Sequence, residues 1–320
     1  MDNKLFKVIL LVALPASGKS ELREFLNHMP KEKLRDEFHI GETVQLDDFP
    51  YVHFMRCIDN ELEKLNQARI FYKGETPFID GRDWGTLCSL LNEDYKDLLS
   101  KASPAYDSAS ELLFERIDRA AEKAGIAKRL SKLDKNIRKN IAKALEQEAE
   151  KIMSNKRKNS KAKYQTVVIE CARGGPQGAN MPLHGTFGYQ YSLPMFSDEI
   201  LKDASVLYIW VTPEESRRKN NERANPEDPG SNLHHGVPEK VMLGDYGCDD
   251  MQHLINESPK EGAILVNAHG KDYFLPIGVF DNRVDRTSFL RNDPKTWKKE
   301  DILAVDSMLK AATDKMFSGT

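Results

Sequence analysis

Short apolar runs alternate with longer amphipathic segments along most of the chain. Runs rich in β-branched and aromatic residues predict strands at 6–13, 43–47, 166–170, 206–211 and 263–267, with a possible extra strand at 274–280. Apolar residues at helical spacing predict helices at 19–27, 57–72, 86–99, 213–224, 238–243 and 299–317. Four of the first five runs are almost continuously apolar, which is typical of strands covered on both faces. This alternation predicts an α/β fold, a parallel sheet of about five strands flanked by helices and joined by right-handed crossovers.

The segment 108–163 departs from this pattern. Its apolar residues recur at steps of three or four and form two stripes, which Gly125 separates. The stripes consist of Leu113, Ile117, Ala120, Ala121 and Ala124, and of Ile126, Leu130, Leu133, Ile137, Ile141, Leu145, Ala149 and Ile152. The segment carries 16 Lys and Arg against 8 Asp and Glu, a local charge of +8. We therefore expect a basic helical hairpin inserted into a core of residues 1–107 and 164–320.

The composition narrows the class of protein. The 320 residues carry 47 Lys and Arg against 50 Asp and Glu, a formal charge of −3, and 40% of them are hydrophobic, as in soluble globular proteins. The longest apolar run, 8–14, is far shorter than the roughly 20 residues that span a bilayer, and residues 1–4 do not begin a signal peptide. Four widely spaced cysteines predict neither a disulfide framework nor structural zinc. We expect a cytoplasmic protein without a membrane partner.

The chain leaves the first predicted strand through a sequence suited to holding phosphate. Residues 13–20 read Ala-Leu-Pro-Ala-Ser-Gly-Lys-Ser, the phosphate-loop pattern with Ala13 in place of its first glycine. Backbone N–H groups of such a loop surround the β-phosphate, Lys19 would bridge the β- and γ-phosphates, and the Ser20 hydroxyl would hold Mg²⁺. The residues expected at the nucleotide are Ala13, Pro15, Ala16, Ser17, Gly18, Lys19 and Ser20. The alternative is a glycine turn with an incidental lysine.

This loop, with the strand before it and the helix after it, resembles the P-loop kinases, a superfamily that includes nucleoside and nucleotide kinases, uridine kinase, phosphoribulokinase and shikimate kinase. The resemblance covers residues 1 to about 60 and 164 to about 270, without the hairpin. It implies a P-loop NTPase fold that binds ATP and Mg²⁺. In these kinases an acid at the end of the second strand contacts the acceptor hydroxyl, and Asp47 and Asp48 are similar to that element. For Asp48 a turn cap before Pro50 is an equal alternative.

The resemblance also assigns residues after the third and fourth predicted strands. Glu170 is similar to the strand-end acid that holds Mg²⁺ directly or through water. Arg217, Arg218 and Arg223, followed by the loop 224–237, resemble a lid that closes over the nucleotide and neutralises charge on the transferring phosphoryl group. A solvated helix face is the alternative for these arginines.

Two further arginines are candidate substrate contacts. Arg173 lies in a glycine-rich loop, where its two-pronged guanidinium could clamp an anionic acceptor, although an ion pair would account for it equally well. Arg82 lies in the segment 78–85, which has the density of polar and aromatic groups expected of a substrate loop. A turn before the next predicted helix accounts for this segment nearly as well.

Together these residues predict an ATP- and Mg²⁺-dependent phosphotransferase that acts on a small-molecule acceptor of unknown identity. The sequence has no Asn-Lys-x-Asp guanine signature, so ATP is expected rather than GTP. One alternative is a nucleic-acid-directed kinase or an RNA- or DNA-binding ATPase, in which the hairpin binds phosphates. Another is a nucleotide-binding switch or scaffold with little turnover, in which the hairpin recruits an acidic protein.

Overall fold

A computed structural model gives the architecture of residues 5–101, 105–161, 163, 165–223 and 236–319. Six strands form one sheet in the order β2-β3-β1-β4-β6-β5. They are β1 (Val8–Val12), β2 (Thr43–Asp47), β3 (Thr166–Cys171), β4 (Ala204–Trp210), β5 (Ala263–Ala268) and β6 (Lys271–Asp281). All neighbours pair in parallel except β5 and β6. The predicted α/β class is confirmed. The predicted parallel pairing fails only for β5, and β6 contains the possible extra strand at 274–280.

Twelve α-helices lie in the described part of the chain. They are α1 (Lys19–His28), α2 (Lys31–Phe38), α3 (Phe49–Lys64), α4 (Asp83–Ser100), α5 (Ala109–Lys123), α6 (Lys135–Lys161), α7 (Gly188–Ser192), α8 (Asp198–Asp203), α9 (Pro213–Arg223), α10 (Glu239–Gly244), α11 (Met251–Glu257) and α12 (Lys299–Ser318). α3 begins eight residues before the predicted start, because Pro50 occupies its first turn, where a missing N–H costs nothing.

The central strand β1 is buried along its whole length. Val8, Leu10 and Val12 belong to one apolar cluster, whereas Ile9 and Leu11 belong to a second. Successive strand residues point to opposite faces of a sheet. The sheet is therefore covered on both faces, as the continuous apolar runs predict.

The order of the strands fixes where a ligand would approach the sheet. From β1 the chain passes to β2 on one side, returns to β3 beside β1, and then crosses to β4 on the other side. Connections that diverge in this way leave a crevice at the carboxyl ends of the central strands. The predicted phosphate loop follows β1 directly and so lies at this crevice.

The segment 108–163 contains two helices, but the second starts later than its apolar stripe suggests. α6 begins at Lys135 because the carboxylate of Asp134 accepts the N–H groups of Asn136 and Ile137, at 2.8 and 3.3 Å. Leu130–Lys132 form a short 3₁₀-helix instead, and the N–H groups of residues 129–131 donate to the carboxylate of Asp118 on α5. These local hydrogen bonds divide one periodic stripe into a 3₁₀-helix and an α-helix.

The two stripes do not pair only with each other, as an independent hairpin would require. Leu113, Phe114 and Ile117 of α5 and Ile141 of α6 are fully buried in a cluster that also contains Phe54 of α3. The same cluster takes in apolar residues of α4. The boundaries at 108 and 163 stay a prediction, but the segment forms the cover of α3 and α4.

Acidic residues of α4 compensate much of the basic charge of this segment. Five basic side chains, Arg116, Arg119, Lys123, Arg129 and Lys156, form ion pairs with Asp83, Glu93, Asp94 and Asp97 of α4. Arg116 is buried and also donates to the hydroxyl of Tyr51 at 3.0 Å. The charges that suggested a nucleic-acid surface therefore serve in part to join the helices.

Replacing residues 108–163 with a short Gly/Ser linker is expected to abolish soluble, cooperatively folding protein. The replacement would expose the apolar faces of α3 and α4, and each large side chain exposed costs about 1.5–3 kcal/mol. Circular dichroism during heating would measure the loss. The double variant Lys139→Gln/Lys143→Gln on the exposed face of α6 should fold normally. A soluble, cooperative linker variant would show instead that the hairpin is separable.

Candidate functional site

A cavity of about 550 Å³ lies at the carboxyl ends of β1, β2 and β3. The predicted phosphate loop contributes Pro15, Ala16, Lys19 and Ser20 to its wall, and α1 contributes Arg23. The strand ends contribute Asp47, Asp48 and Glu170. The structure thus brings most of the predicted nucleotide and carboxylate residues to one cavity at the crevice of the sheet.

The backbone of the loop is shaped for close packing behind the cavity. Gly18 has φ of 107°, and a Cβ placed there would lie 2.5 Å from Oγ1 of Thr287. Ala16 also adopts a left-handed conformation, with φ of 54°. Gly18 precedes α1 and has no side chain to cap this helix, and the N-terminal end of a helix carries a positive potential.

Two side chains that the sequence analysis missed hold the loop from behind. The hydroxyl of Ser216 on α9 donates to the carbonyl oxygen of Pro15 at 2.7 Å, and the amide of Asn282 donates to that of Ser17 at 2.7 Å. In a trans peptide the N–H points opposite to the C=O. These bonds therefore direct the N–H groups of Ala16 and Gly18 away from α9 and the loop after β6. No motif marks Ser216 or Asn282, since their partners are backbone atoms distant in sequence.

The remaining predicted loop residues differ in exposure. Lys19 and Ser20 are half-buried on the cavity wall, and the Lys19 ammonium donates to the carbonyl oxygen of Leu14 at 3.2 Å. Ala13 and Ser17 are buried and do not line the cavity. The N–H of Ala13 donates to the hydroxyl of Tyr189 at 2.8 Å, so this amide supports the end of β1 rather than a ligand.

Two carboxylates face each other at the strand ends. Asp47 of β2 lies directly opposite Glu170 of β3 in the parallel register. Arg23 donates to Oε1 of Glu170 at 2.7 Å, and Gln45 donates to the same oxygen, so among the described residues Oε2 is left for another ligand. Desolvation, followed by repulsion from Glu170 and Asp48, raises the pKa of Asp47 to about 7. The cavity therefore holds a carboxyl group that titrates near neutral pH.

Asp48 has a different role from its neighbour. It is buried, and its Oδ2 accepts a hydrogen bond from Nη1 of Arg173 at 2.6 Å. Arg173 is itself only 1% exposed, also donates to the hydroxyl of Ser192, and stacks on Trp84. Arg173 does not line the cavity, and it forms the ion pair that the sequence left open as the equal alternative, so the acceptor contact stays a prediction. Arg173 holds Asp48 at the start of α3.

Arg82 and Arg218 also lie away from the cavity wall. Arg82 is bound to the carboxylate of Asp80 and to the carbonyl oxygen of Gly125. Arg218 is exposed and pairs with Glu215 and Glu222 on its own helix, as a solvated face would. These positions do not support the predicted substrate and lid contacts.

The predicted lid also includes Arg217, Arg223 and the loop after α9. Arg217 donates to Glu214 at 3.3 Å, and its Nη1 is buried without a partner among the described residues. It does not line the cavity. The side chain of Arg223 and residues 224–235 lie outside the described residues. The lid therefore stays a prediction.

The residues at the strand ends suit a magnesium ion carried by a nucleotide. The Ser20 hydroxyl and the carboxylates of Asp47 and Glu170 offer the oxygen ligands that Mg²⁺ prefers, and a cation would relieve the repulsion between the two acids. Within the described ranges no group of three or more His, Cys, Asp or Glu side chains is arranged to hold a metal by itself. Magnesium in such sites keeps several waters and substrate phosphates as ligands, so one or two carboxylates suffice.

Asp47→Asn is expected to raise the melting temperature of the ligand-free protein above pH 7. The raised pKa means that the folded state favours the protonated carboxyl, so the contribution of Asp47 to stability is complete below its ordinary pKa of about 4 and is lost as the pH rises through about 7. The neutral amide avoids this loss. Scanning calorimetry at about pH 5 and pH 8 should therefore show a clearly larger gain at the higher pH, because the loss begins near pH 4 and is complete only above about pH 7.

Asp293→Asn provides the matched control for this measurement. Asp293 also accepts the N–H two residues ahead, at 2.9 Å, as Asp47 does from Phe49, but it lies in an exposed loop. Its variant should show no gain at either pH. An equal change for Asp47→Asn at both values would mean that desolvation and the neighbouring acids do not raise the pKa of Asp47 in the folded protein.

Comparisons with protein-family models, with curated proteins and with solved structures found no match. In the described part of the chain, no helix has both the length and the apolar character needed to cross a membrane. The class of protein therefore rests on the residues and on the geometry of the site.

Proposed function

We propose that the protein is a P-loop kinase-like phosphotransferase that uses ATP and Mg²⁺ to phosphorylate a small molecule. One observation carries the proposal: Lys19 and Ser20 of a glycine loop share one cavity with Asp47, whose pKa lies near 7. A loop lysine and a helix N-terminus are suited to phosphate, and a carboxylate of this pKa is suited to accept a proton at neutral pH.

Each residue has a distinct role in this proposal. The N–H groups of the loop and the Lys19 ammonium bind the β- and γ-phosphates, and Ser20 with Glu170 would hold Mg²⁺, which neutralises charge on the transferred group. Asp47 orients the acceptor hydroxyl and accepts its proton. Asp48 and Arg173 fix the start of α3, which forms the wall beside the acceptor. Phosphate binding thus belongs to the loop and α1, and proton transfer belongs to the end of β2.

A ligand screen followed by a transfer assay tests this function. The protein would be heated with a metabolite library in the presence of Mg²⁺ and a nonhydrolysable ATP analogue, and compounds that raise its melting temperature would be assayed with labelled ATP. We expect stabilisation by the analogue alone and transfer to at least one hit. Binding of the analogue without transfer to any compound would favour the nucleotide switch, and absence of binding would refute the nucleotide site.

A further inference from the structure

The cavity continues beyond the carboxylates along one face of α3. Val52, His53, Arg56 and Asn60 line it at steps of one, three and four residues, which places them on one side of the helix. Arg56 lies seven residues from Phe49, so the helical rise puts it about 10 Å along α3 from the end near Asp47. A ligand that contacts both ends is therefore elongated.

Two contacts hold the guanidinium of Arg56 in place. It stacks on the buried ring of Tyr72, with 4.2 Å between its central carbon and the ring centroid. Its Nη1 donates to the backbone carbonyl oxygen of Glu75. The group is half-buried in the wall of the cavity, and these contacts use one of its five N–H donors, which leaves the others for a ligand.

Arg56 differs from the other two arginines of the cavity wall because, among the described residues, they form ion pairs and it does not. Arg23 pairs with Glu170 at 2.7 Å, and Arg69 forms a two-pronged pair with Glu63 at 2.6 and 2.7 Å. Arg56 forms no ion pair with a carboxylate of the described residues. A half-buried guanidinium that forms no ion pair with these residues is well suited to bind a carboxylate or a phosphate.

Two acidic residues lie near Arg56, but neither carboxylate forms an ion pair with its guanidinium. Glu75 lines the cavity but is exposed, and it offers Arg56 its backbone oxygen rather than its carboxylate. Asp245 accepts a hydrogen bond from the Thr76 hydroxyl. Desolvation raises the pKa of Asp245 although Thr76 and Arg56 act in the opposite direction. Neither carboxylate lies within 4.0 Å of the Arg56 guanidinium.

We propose that Arg56 binds an anionic group of the acceptor, a carboxylate or a phosphate, at the end of the cavity opposite the phosphate loop. That the acceptor is phosphorylated at its other end rests on the proposed function. The anion site itself rests on the geometry of Arg56. The wall between the two ends includes Val52 and Tyr246. The acceptor class is therefore a metabolite with a hydroxyl at one end, an apolar or planar middle, and an anion about 10 Å away.

Anion titrations with Mg²⁺ and a nonhydrolysable ATP analogue at saturation test the site, because the analogue keeps free anions off the phosphate loop. Inorganic phosphate and acetate would be titrated separately while the arginine side-chain N–H signals are followed by NMR, with Arg56 assigned from Arg56→Lys. We expect a saturable shift of the Arg56 signal. Arg56→Gln should weaken binding of the preferred anion at least about tenfold. Stronger binding of phosphate would indicate a phosphorylated acceptor, and stronger binding of acetate a carboxylate.

Lys64→Gln is the matched control, since Lys64 lies on the same helix, is exposed and pairs with Glu61. Its variant should bind both anions as the wild type does. Equal binding by Arg56→Gln, or no saturable shift of the Arg56 signal with either anion, would overturn the assignment. If the ATP analogue does not bind, the proposed function fails separately. The same titrations in a Lys19→Ala background then still test Arg56, because the phosphate loop lacks its lysine.

Discussion

Replacing Lys19 with alanine is expected to leave the fold intact and to abolish phosphoryl transfer. Lys19 is half-buried on the cavity wall and contacts its own loop through the carbonyl oxygen of Leu14, so its ammonium is placed for a ligand rather than for the core. Loss of one preorganised charge aimed at the transferring group typically costs about 10²–10³-fold in turnover. Transfer assays on the purified variant, with circular dichroism to verify folding, would measure the effect.

The exposed residue Lys143 supplies the comparison for this variant. It carries the same charge on α6, outside the cavity, and Lys143→Ala should keep wild-type turnover. Wild-type hydrolysis or transfer by the Lys19→Ala variant would refute the phosphate-loop assignment. Loss of folding in that variant alone would show that the lysine supports the loop instead.

The elements of the sheet could be predicted because their information is local. The predicted strand 43–47 coincides with β2, and the continuous apolar character of 206–211 follows from burial of β4 between two helical layers. The direction of β5 was not predictable in the same way. Only two residues separate β5 from β6, so the two strands form an antiparallel pair. The sequence did not reveal this short connection, because the possible strand at 274–280 extends in the structure to Lys271–Asp281.

The site could be predicted only where its residues follow strands directly. Asp47 and Glu170 end neighbouring parallel strands, so their meeting follows from the fold. The roles of Arg173 and Arg82 could not be read in this way, since each guanidinium is directed by a partner distant in space or by a local turn. Arg56 carries no sequence signal, because what distinguishes it is the lack of an ion pair with any carboxylate in the described part of the chain.

Asp47→Asn is expected to keep most of the affinity for Mg²⁺ and ATP but to lose turnover by about 10²-fold or more, the usual scale of a general-base contribution. The amide oxygen can still accept the N–H of Phe49, which bonds to Asp47 at 2.9 Å, so the turn into α3 should persist. What the substitution removes is a negative charge opposite Glu170 and a proton acceptor in the cavity. Calorimetry would give the affinity and a transfer assay the turnover.

The neighbouring carboxylate cannot serve as a neutral comparison for this prediction. Asp48→Asn would leave Arg173 buried without its counter-charge, and breaking a buried ion pair costs about 3–5 kcal/mol of stability. A loss of activity in the Asp48→Asn variant would therefore reflect unfolding rather than the loss of a catalytic group. Asp293→Asn is the better control, because it preserves the same type of local hydrogen bond in an exposed loop. Normal turnover in Asp47→Asn would remove this carboxylate from the chemistry and favour a nucleotide switch over a kinase.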